Sequence, residues 1–531
     1  MHSDFKDLLL FISLIDSENI PKNLLIAYKD DITTSKFIHE LKKFSLIIEQ
    51  LPATNTSTAT FNIHRTTQQI ILAYLNPGQN TKRLEEMSIT LENCMSNELK
   101  IFNSSKKMSL LVSHAEIFLN RPELIDKIIS AALRMKVGAF YFHIANYKKA
   151  KEYFEQALII YENHYGRDDV RSARVLVRLG SVYRNMGDYG KAKEYFEQAL
   201  VVYEKHYGKE DIKTTEVYTY LGSIYRNIGD YGKAQKLLEQ ALAVYKKNYG
   251  GDDIETARVL AYLGSVYKNT GDYKKAKEFL NQALEMYKNY YGEEHVQTAW
   301  VSGRLGNVYR SIGDYAKAKE LLEQAFMIYK KHHGENCIET AWILSHLGSV
   351  NTDIVDNIKA QNNVKQSLTI YRKYLKDDHV TIAWALFNLG TVNLNLGNYE
   401  LAQKILEEAL VIYKENYGQN HIQTAGLLNR LGEVYFLKKD VETAENLTNQ
   451  ALDIFKRNKH PDSYISLEKL ADIYLLKSIQ EREKENIQQS QSLKQQSIDY
   501  LKTSLITAKT CFPEGSSHIF RIKLKLNDLE K

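Results

Sequence analysis

The chain has 531 residues, 44% of them apolar and 25% charged, which suits a soluble folded protein and is too long for one compact core. Its net charge of +5 is too small for this length to give the concentrated basic field of a nucleic-acid binder. Cys94, Cys337 and Cys511 stand far apart without paired spacing, which argues against a disulfide framework or structural zinc and points to a reducing, cytoplasmic setting.

Residues 1–80 read as a small domain of their own. Apolar stretches Phe5–Ile15 and Phe37–Ile48 flank Asn19-Ile20-Pro21, and Phe61-Asn62-Ile63-His64-Arg65 leads into an apolar helix ending near Leu75. The longest apolar run, Leu8–Ile15, is far short of the ~20 residues that span a bilayer. It follows Asp4, Lys6 and Asp7 and carries no cleavage-site pattern, so neither a membrane anchor nor a signal peptide is expected. Residues 81–130 read as a helical linker. All six prolines (Pro21, Pro52, Pro77, Pro122, Pro461, Pro513) sit toward the two ends. Proline costs ~3 kcal/mol inside a helix, so the long proline-free middle permits nearly continuous helix.

From residue 131 to 475 the chain repeats itself. Leu-Gly recurs at Leu179-Gly180, Leu221-Gly222, Leu263-Gly264, Leu305-Gly306, Leu347-Gly348, Leu389-Gly390 and Leu431-Gly432, in steps of 42 residues without an insertion. A fixed period of this size signals stacked supersecondary units. Each unit reads as two helices, the first around Asp169–Met186 and the second around Tyr189–Tyr207, joined at Gly187-Asp188. The glycine suits a left-handed C-cap and the aspartate can cap the next helix. That cap position holds Asn146, Asp188, Asp230, Asp272, Asp314, Asp356, Asn398 and Asp440. A glycine inside a helix costs ~1 kcal/mol against alanine, so Gly180 and its equivalents require close approach of the paired helix. One stretch, 348–393, departs: Asn351 and Asn393 replace the tyrosine of Tyr183 type, Val355-Asp356-Asn357 replaces Gly-Asp-Tyr, and Leu375-Lys376 replaces Tyr-Gly. It reads as a softer segment or as simple drift. Residues 476–531 read as a degenerate last hairpin with a polar insertion, Gln480–Gln496, and a capping helix around Ser517–Leu529, since a solenoid must cover its end.

Gly180, Tyr183, Ala192 and Ala199 resemble the core signature of a tetratricopeptide (TPR) hairpin, and the 42-residue period resembles the kinesin light chain and nephrocystin subtype. The resemblance implies an all-α fold, a right-handed α-solenoid of about eight to nine hairpins. Its concave wall would come from the first helix of each hairpin, at positions equivalent to 174, 177, 181, 184 and 185. The Ile20-Pro21 turn and the His64-Arg65 pair before a helix resemble the winged-helix segment of NB-ARC–TPR proteins of the STAND class.

No motif for chemistry accompanies these repeats. A STAND protein needs a P-loop, and Gly190-Lys191 and Gly232-Lys233 are each followed by alanine on the second helix, where neither can cradle phosphate. His332-His333 reads as a solvated pair. His295, Cys337, His379 and His421 share one repeat position. Equivalent residues of neighbouring repeats lie at least ~8–10 Å apart, whereas zinc ligands sit ~2 Å from the ion, so that column cannot converge on a metal. No catalytic residue, cofactor or metal is expected, and the chain reads as a non-enzyme.

The groove columns carry the functional reading. Arg184, Arg226, Lys268 and Arg310 line up, joined by Arg174 and Arg258, with Asn185, Asn227 and Asn269 beside them and the small Ser181, Ser223 and Ser265. All three tryptophans, Trp300, Trp342 and Trp384, occupy one column, with Phe387 a turn from the last. Arginines bind carboxylates bidentately, asparagines can bond a peptide backbone, and tryptophans bury apolar anchors. The expected partners are protein or peptide ligands, an acidic segment with apolar anchors held by a cytoplasmic scaffold, with neither nucleic acid nor membrane. The alternative is the sensor or autoinhibitory half of a STAND-type NTPase without its nucleotide-binding domain. Oligomeric state is not legible.

Overall fold

A computed structural model describes residues 3–50, 60–75, 81–100, 105–121, 125–144, 146–512 and 514–530; Pro52, Pro77, Pro122 and Pro513 lie outside the described residues. The chain divides into two compact units, Met1–Lys209 and Glu210–Lys531.

The first unit opens with α1 (Ser3–Leu14), β1 (Ile20–Pro21), α2 (Lys22–Tyr28), α3 (Asp31–Lys43), β2 (Ile47–Gln50), β3 (Thr60–Ile63) and α4 (Arg65–Leu75). The strands form an antiparallel sheet ordered β1-β3-β2, with Ile20 opposite Phe61 and Ile47 opposite Ile63. The continuous apolar run belongs to α1, whose Leu8, Phe11, Ile12 and Leu14 are fully buried. Pro21 sits on an edge strand, where its missing N–H breaks no ladder bond. The Gln68 side chain of α4 donates to the carbonyl oxygens of Ile12 (2.7 Å) and Ile15 (3.2 Å), satisfying the end of α1. Then follow α5 (Thr81–Lys100), α6 (Ser105–Leu119) and two hairpins, α7 (Lys127–His143) with α8 (Tyr147–Tyr165) and α9 (Val170–Asn185) with α10 (Tyr189–Tyr207).

The second unit holds seven more hairpins. These are α11 (Ile212–Asn227) with α12 (Tyr231–Tyr249), α13 (Ile254–Thr270) with α14 (Tyr273–Tyr291), and α15 (Val296–Ser311) with α16 (Tyr315–His333). Next come α17 (Ile338–Asp353) with α18 (Asn357–Tyr374), α19 (Val380–Asn395) with α20 (Tyr399–Tyr417), and α21 (Ile422–Leu437) with α22 (Val441–Arg457). The longer pair α23 (Ser463–Glu483) and α24 (Ile487–Cys511) is followed by α25 (Ser517–Glu530). The polar stretch Gln480–Gln496 is not an insertion between helices. It lengthens both of them, leaving only Lys484–Asn486 as the turn.

Local chemistry explains the hairpins. Gly187, Gly229, Gly271 and Gly313 all have φ between 80° and 86°, the left-handed region that glycine enters without penalty. Asp188, Asp230, Asp272 and Asp314 each accept from the backbone N–H three residues on. Asn398 makes no such cap; its amide donates instead to Asn393 Oδ1 at 3.4 Å. A Cβ on Gly180 would lie 2.9 Å from Phe196, and one on Gly264 would lie 2.6 Å from Leu280, so the in-helix glycines do mark close helix approach. The column His295, Cys337, His379 and His421 continues Asp169, Asp211 and Asp253 as the N-cap of each first helix. The Nδ1 atoms of His295, His379 and His421 accept backbone N–H groups at 3.1–3.2 Å. In the departing stretch the hairpin persists: Val355 takes φ 64° in place of glycine, and Asn393, buried, donates to its own helix at Leu389 O, 2.8 Å away.

Within the second unit the ribbon of hairpins meets itself. Turns inside early hairpins touch turns between late ones. Tyr231 packs on the cluster of Ile422, Ala425 and Leu428, and Gly229 lies under His421. His460 Nε2 donates to Asn269 O at 3.0 Å while its Nδ1 accepts from Asp462 N at 3.2 Å. Tyr273 stacks on Phe512 at 5.5 Å and donates to Asp462 at 3.4 Å. A Cβ on Gly313 would stand 2.5 Å from Ser517 Oγ. We call this line of contacts the seam.

Candidate functional site

Closure along the seam leaves a cavity of about 510 Å³ in the second unit, walled mainly by the first helices of the hairpins. Of the groove residues expected from the sequence, Lys268, Asn269, Arg310, Trp384 and Phe387 line it together. Arg174, Arg184 and Asn185 lie on α9 in the first unit, Arg174 exposed and the other two half-buried. Asn185 accepts from Arg184 Nε at 3.4 Å and donates to the Tyr147 hydroxyl at 3.4 Å.

Arg226, Asn227, Arg258, Trp300 and Trp342 belong to the second unit but are not part of the cavity lining. Arg226 donates to Asn227 Oδ1 at 2.7 Å, and Arg258 is paired with Glu255. Burial opposes the charge of Arg258, yet the neighbouring Tyr220 and Glu255 raise its pKa overall. Trp300 and Trp342 bracket a residue the sequence reading passed over. The Arg304 guanidinium lies 4.4 Å from the Trp300 ring centroid and 5.9 Å from that of Trp342, and it donates to Ser265 Oγ at 2.9 Å. Burial, reinforced by Arg226, lowers its pKa. The serines are not an open floor: Ser181 and Ser265 are buried and donate to the carbonyls four residues back.

The cavity is strongly charged. Arg310 donates from Nε to Asp353 at 2.6 Å; burial opposes the cation, but Asp353 raises its pKa on balance. Glu433 would be pushed up by burial, yet Lys469 and Arg430 hold its carboxyl at about 2. Glu468 takes Arg521 bidentately at 2.9 and 2.8 Å, and Lys525 reaches Asp472 at 2.7 Å. These pairs link α25 to α23. Their signal was in the sequence: Glu468 and Asp472 are four apart, as are Arg521 and Lys525, so each pair shares a helix face. Lys268 differs, since its ammonium makes no hydrogen bond or ion pair among the described residues. Burial first, then Arg310, lowers its pKa from 10.5 to about 8, against the opposing pull of Asp462.

Away from the cavity, the ligand atoms of His333, Cys337 and Glu339 lie within 4.8 Å of one another, with His333 and Glu339 exposed. No described helix is long and apolar enough to cross a membrane.

Comparison with known proteins agrees with this architecture. The signature of the tetratricopeptide repeat matches residues 129–205, 213–289, 261–331, 339–415 and 381–457. No curated protein matches the sequence. Among solved structures, the Signal Transduction ATPase with Numerous Domains (STAND) protein with a tetratricopeptide repeat sensor from Pyrococcus horikoshii is 16% identical. It covers 86% of this chain and 63% of its own, with a TM-score of 0.50. Nearly identical TPR-like repeats of kinesin light chain type from Podosopora anserina are 22% identical over 38% of this chain and 96% of theirs, with a TM-score of 0.31. A Rap protein complexed with Competence and Sporulation Factor is 15% identical over 67% of this chain and 97% of its own, with a TM-score of 0.46. At 16% identity the likeness to the STAND protein is one of fold. The signature, spread over more than half of the length, decides the family: the chain belongs to the tetratricopeptide repeat proteins.

Proposed function

We propose that this protein is a non-catalytic interaction scaffold that holds an acidic, extended peptide segment with apolar anchors against the first helices of its hairpins. Tetratricopeptide repeats form interaction scaffolds built on extended concave surfaces. The observation that carries the finer reading is Arg304, a cation held between Trp300 and Trp342 whose guanidinium has Ser265 as its only hydrogen-bond partner among the described residues. A guanidinium so placed has its apolar faces covered and its N–H edge left for a carboxylate. Arg226, Asn227 and Arg258 extend the same stretch, and Arg174, Arg184 and Asn185 carry its equivalent on the first unit.

The test follows tryptophan fluorescence while a library of acidic peptides is titrated. Arg226→Glu, Arg304→Gln and Trp342→Ala should each weaken the peptides that bind, by about ten-fold or more for the charge changes. Equal affinities in wild type and all three variants sink the proposal.

A further inference from the structure

The cavity bounded by the seam is not lined by the Arg226–Trp342 stretch, and its chemistry is different. Its lining carries six cations, Lys268 and five others, against five carboxylates. Each of the other five has a carboxylate partner: Arg310 takes Asp353, Arg430 and Lys469 take Glu433, Arg521 takes Glu468 and Lys525 takes Asp472. The fifth carboxylate, Asp462, acts on Lys268 through space with no ion pair between them. The lining thus keeps one net positive charge, and Lys268 is its cation without a direct partner among the described residues. A half-buried ammonium without an acceptor is costly unless something supplies the missing negative charge.

Two more unsatisfied donors stand in the same neighbourhood. Trp384 Nε1 is buried and has no hydrogen-bond partner among the described residues. Asn307 Nδ2 donates to His346 Nε2 at 2.9 Å, so the neutral His346 carries its proton on Nδ1, which is also buried without an acceptor. The His346 ring lies 5.8 Å from that of Trp384, and Lys268 and Arg310 both lower its pKa, after burial itself. Trp384 lines the cavity and His346 packs beside it outside the lining, so unsatisfied donors gather on this wall. Beside them the cavity wall is aromatic: Trp384 stacks on Phe387 at 5.7 Å, and Tyr273 on Phe512 at 5.5 Å.

We propose that this cavity is a binding site for a small organic anion, its carboxylate or phosphate held by Lys268 and the Trp384 indole N–H and its apolar body lying against Phe387. A volume of about 510 Å³ falls within the ~300–1,000 Å³ of small-molecule sites. The seam bounds it at Gly271–Pro461 and Gly313–Ser517, so an extended chain cannot be laid in across that edge. This site stands whether or not a peptide is held at Arg226 and Trp342.

The test uses the full chain and three probes: 3-phenylpropionate, its neutral amide 3-phenylpropanamide, and phenyl phosphate. Binding is read by calorimetry and by the indole N–H signals of the three tryptophans, assigned with Trp384→Phe. One of the two anions should bind and shift the Trp384 signal, with the amide weaker by about ten-fold or more. Lys268→Met should lose a similar factor, and Trp384→Phe a smaller one, with the Trp300 signal unmoved. Which anion wins separates carboxylate from phosphate. The proposal is overturned if neither anion binds, if the amide binds as well as the acid, or if both variants keep wild-type affinity. Unchanged peptide binding in Lys268→Met would leave the groove reading intact, so the two can fail separately.

Discussion

Replacing Gly271 by alanine tests the seam directly. Gly271 has φ 84°, where a side chain costs ~1–2 kcal/mol on backbone grounds alone. Its Cβ would also overlap the ring of Pro461, a side chain that cannot rotate out of the way. Overpacking of this kind costs ~1–3 kcal/mol, giving about 2–5 kcal/mol in total if the seam holds. The overlap can also be relieved by parting the two turns, so the extra cost cannot exceed what the seam itself contributes. Gly397 is the control: its φ is 79°, and nothing lies within 4 Å of a Cβ built there. Gly397→Ala should therefore show the backbone part alone. Urea unfolding followed by tryptophan fluorescence gives the stabilities. Amide exchange at His460 and Tyr464, whose N–H groups bond to Phe455 O and Pro461 O, reports on the turn. Faster exchange there in Gly271→Ala, but not in Gly397→Ala, is the expected result. If the two variants lose equal stability and exchange alike, the closure of residues 210–531 is refuted.

Three further expectations follow from the packing and the charges. Gly264→Ala should destabilise by ~1–3 kcal/mol, because its Cβ would sit 2.6 Å from Leu280 Cγ. Gly426→Ala on α21, with open space around it, should instead stabilise by ~0.5–1 kcal/mol; chemical denaturation of both checks the pair. Glu468→Gln leaves Arg521 and Lys525 without their shared carboxylate, so amide exchange across α25 should rise by about ten-fold or more while α21 is unchanged. Burial lowers the pKa of His421 from 6.5 to about 4. The unfolded chain thus takes up this proton near 6.5 and the folded chain only near 4. The stability tied to His421 is complete above pH 6.5 and is lost as pH falls toward 4. In His421→Asn, which keeps a capping side chain, the slope of stability against pH over that window should flatten.

What could be read from the sequence was whatever the chain settles within one hairpin. The caps at Asp188 and its equivalents, the left-handed glycines and the contact of Gly180 with Phe196 depend on residues close in sequence, so spacing alone revealed them. The N-cap role of His295, Cys337, His379 and His421 was also legible, because Asp169, Asp211 and Asp253 hold the same position. The seam was not legible. It arises from a small rotation between neighbours summed over several hairpins, and no local pattern says that Gly229 must meet His421. The tryptophan column shows the same limit. Its three members are equivalent by spacing, yet Trp300 and Trp342 bracket Arg304 while Trp384 reaches the cavity, because the residue at the Arg304 position becomes His346 one repeat later.

The within-hairpin turns also record where duplicated copies are free to diverge. Val355 and Lys439 have replaced the glycine and hold φ of 64° and 66°, on turns that face open water. Each such change gives up ~1 kcal/mol, a loss that drift can absorb. At 229, 271 and 313 a neighbouring turn already fills the space that any side chain would need, whereas the glycine at 397 faces open space. Mutational tolerance along these otherwise interchangeable copies should therefore be uneven, set by who lies across the gap.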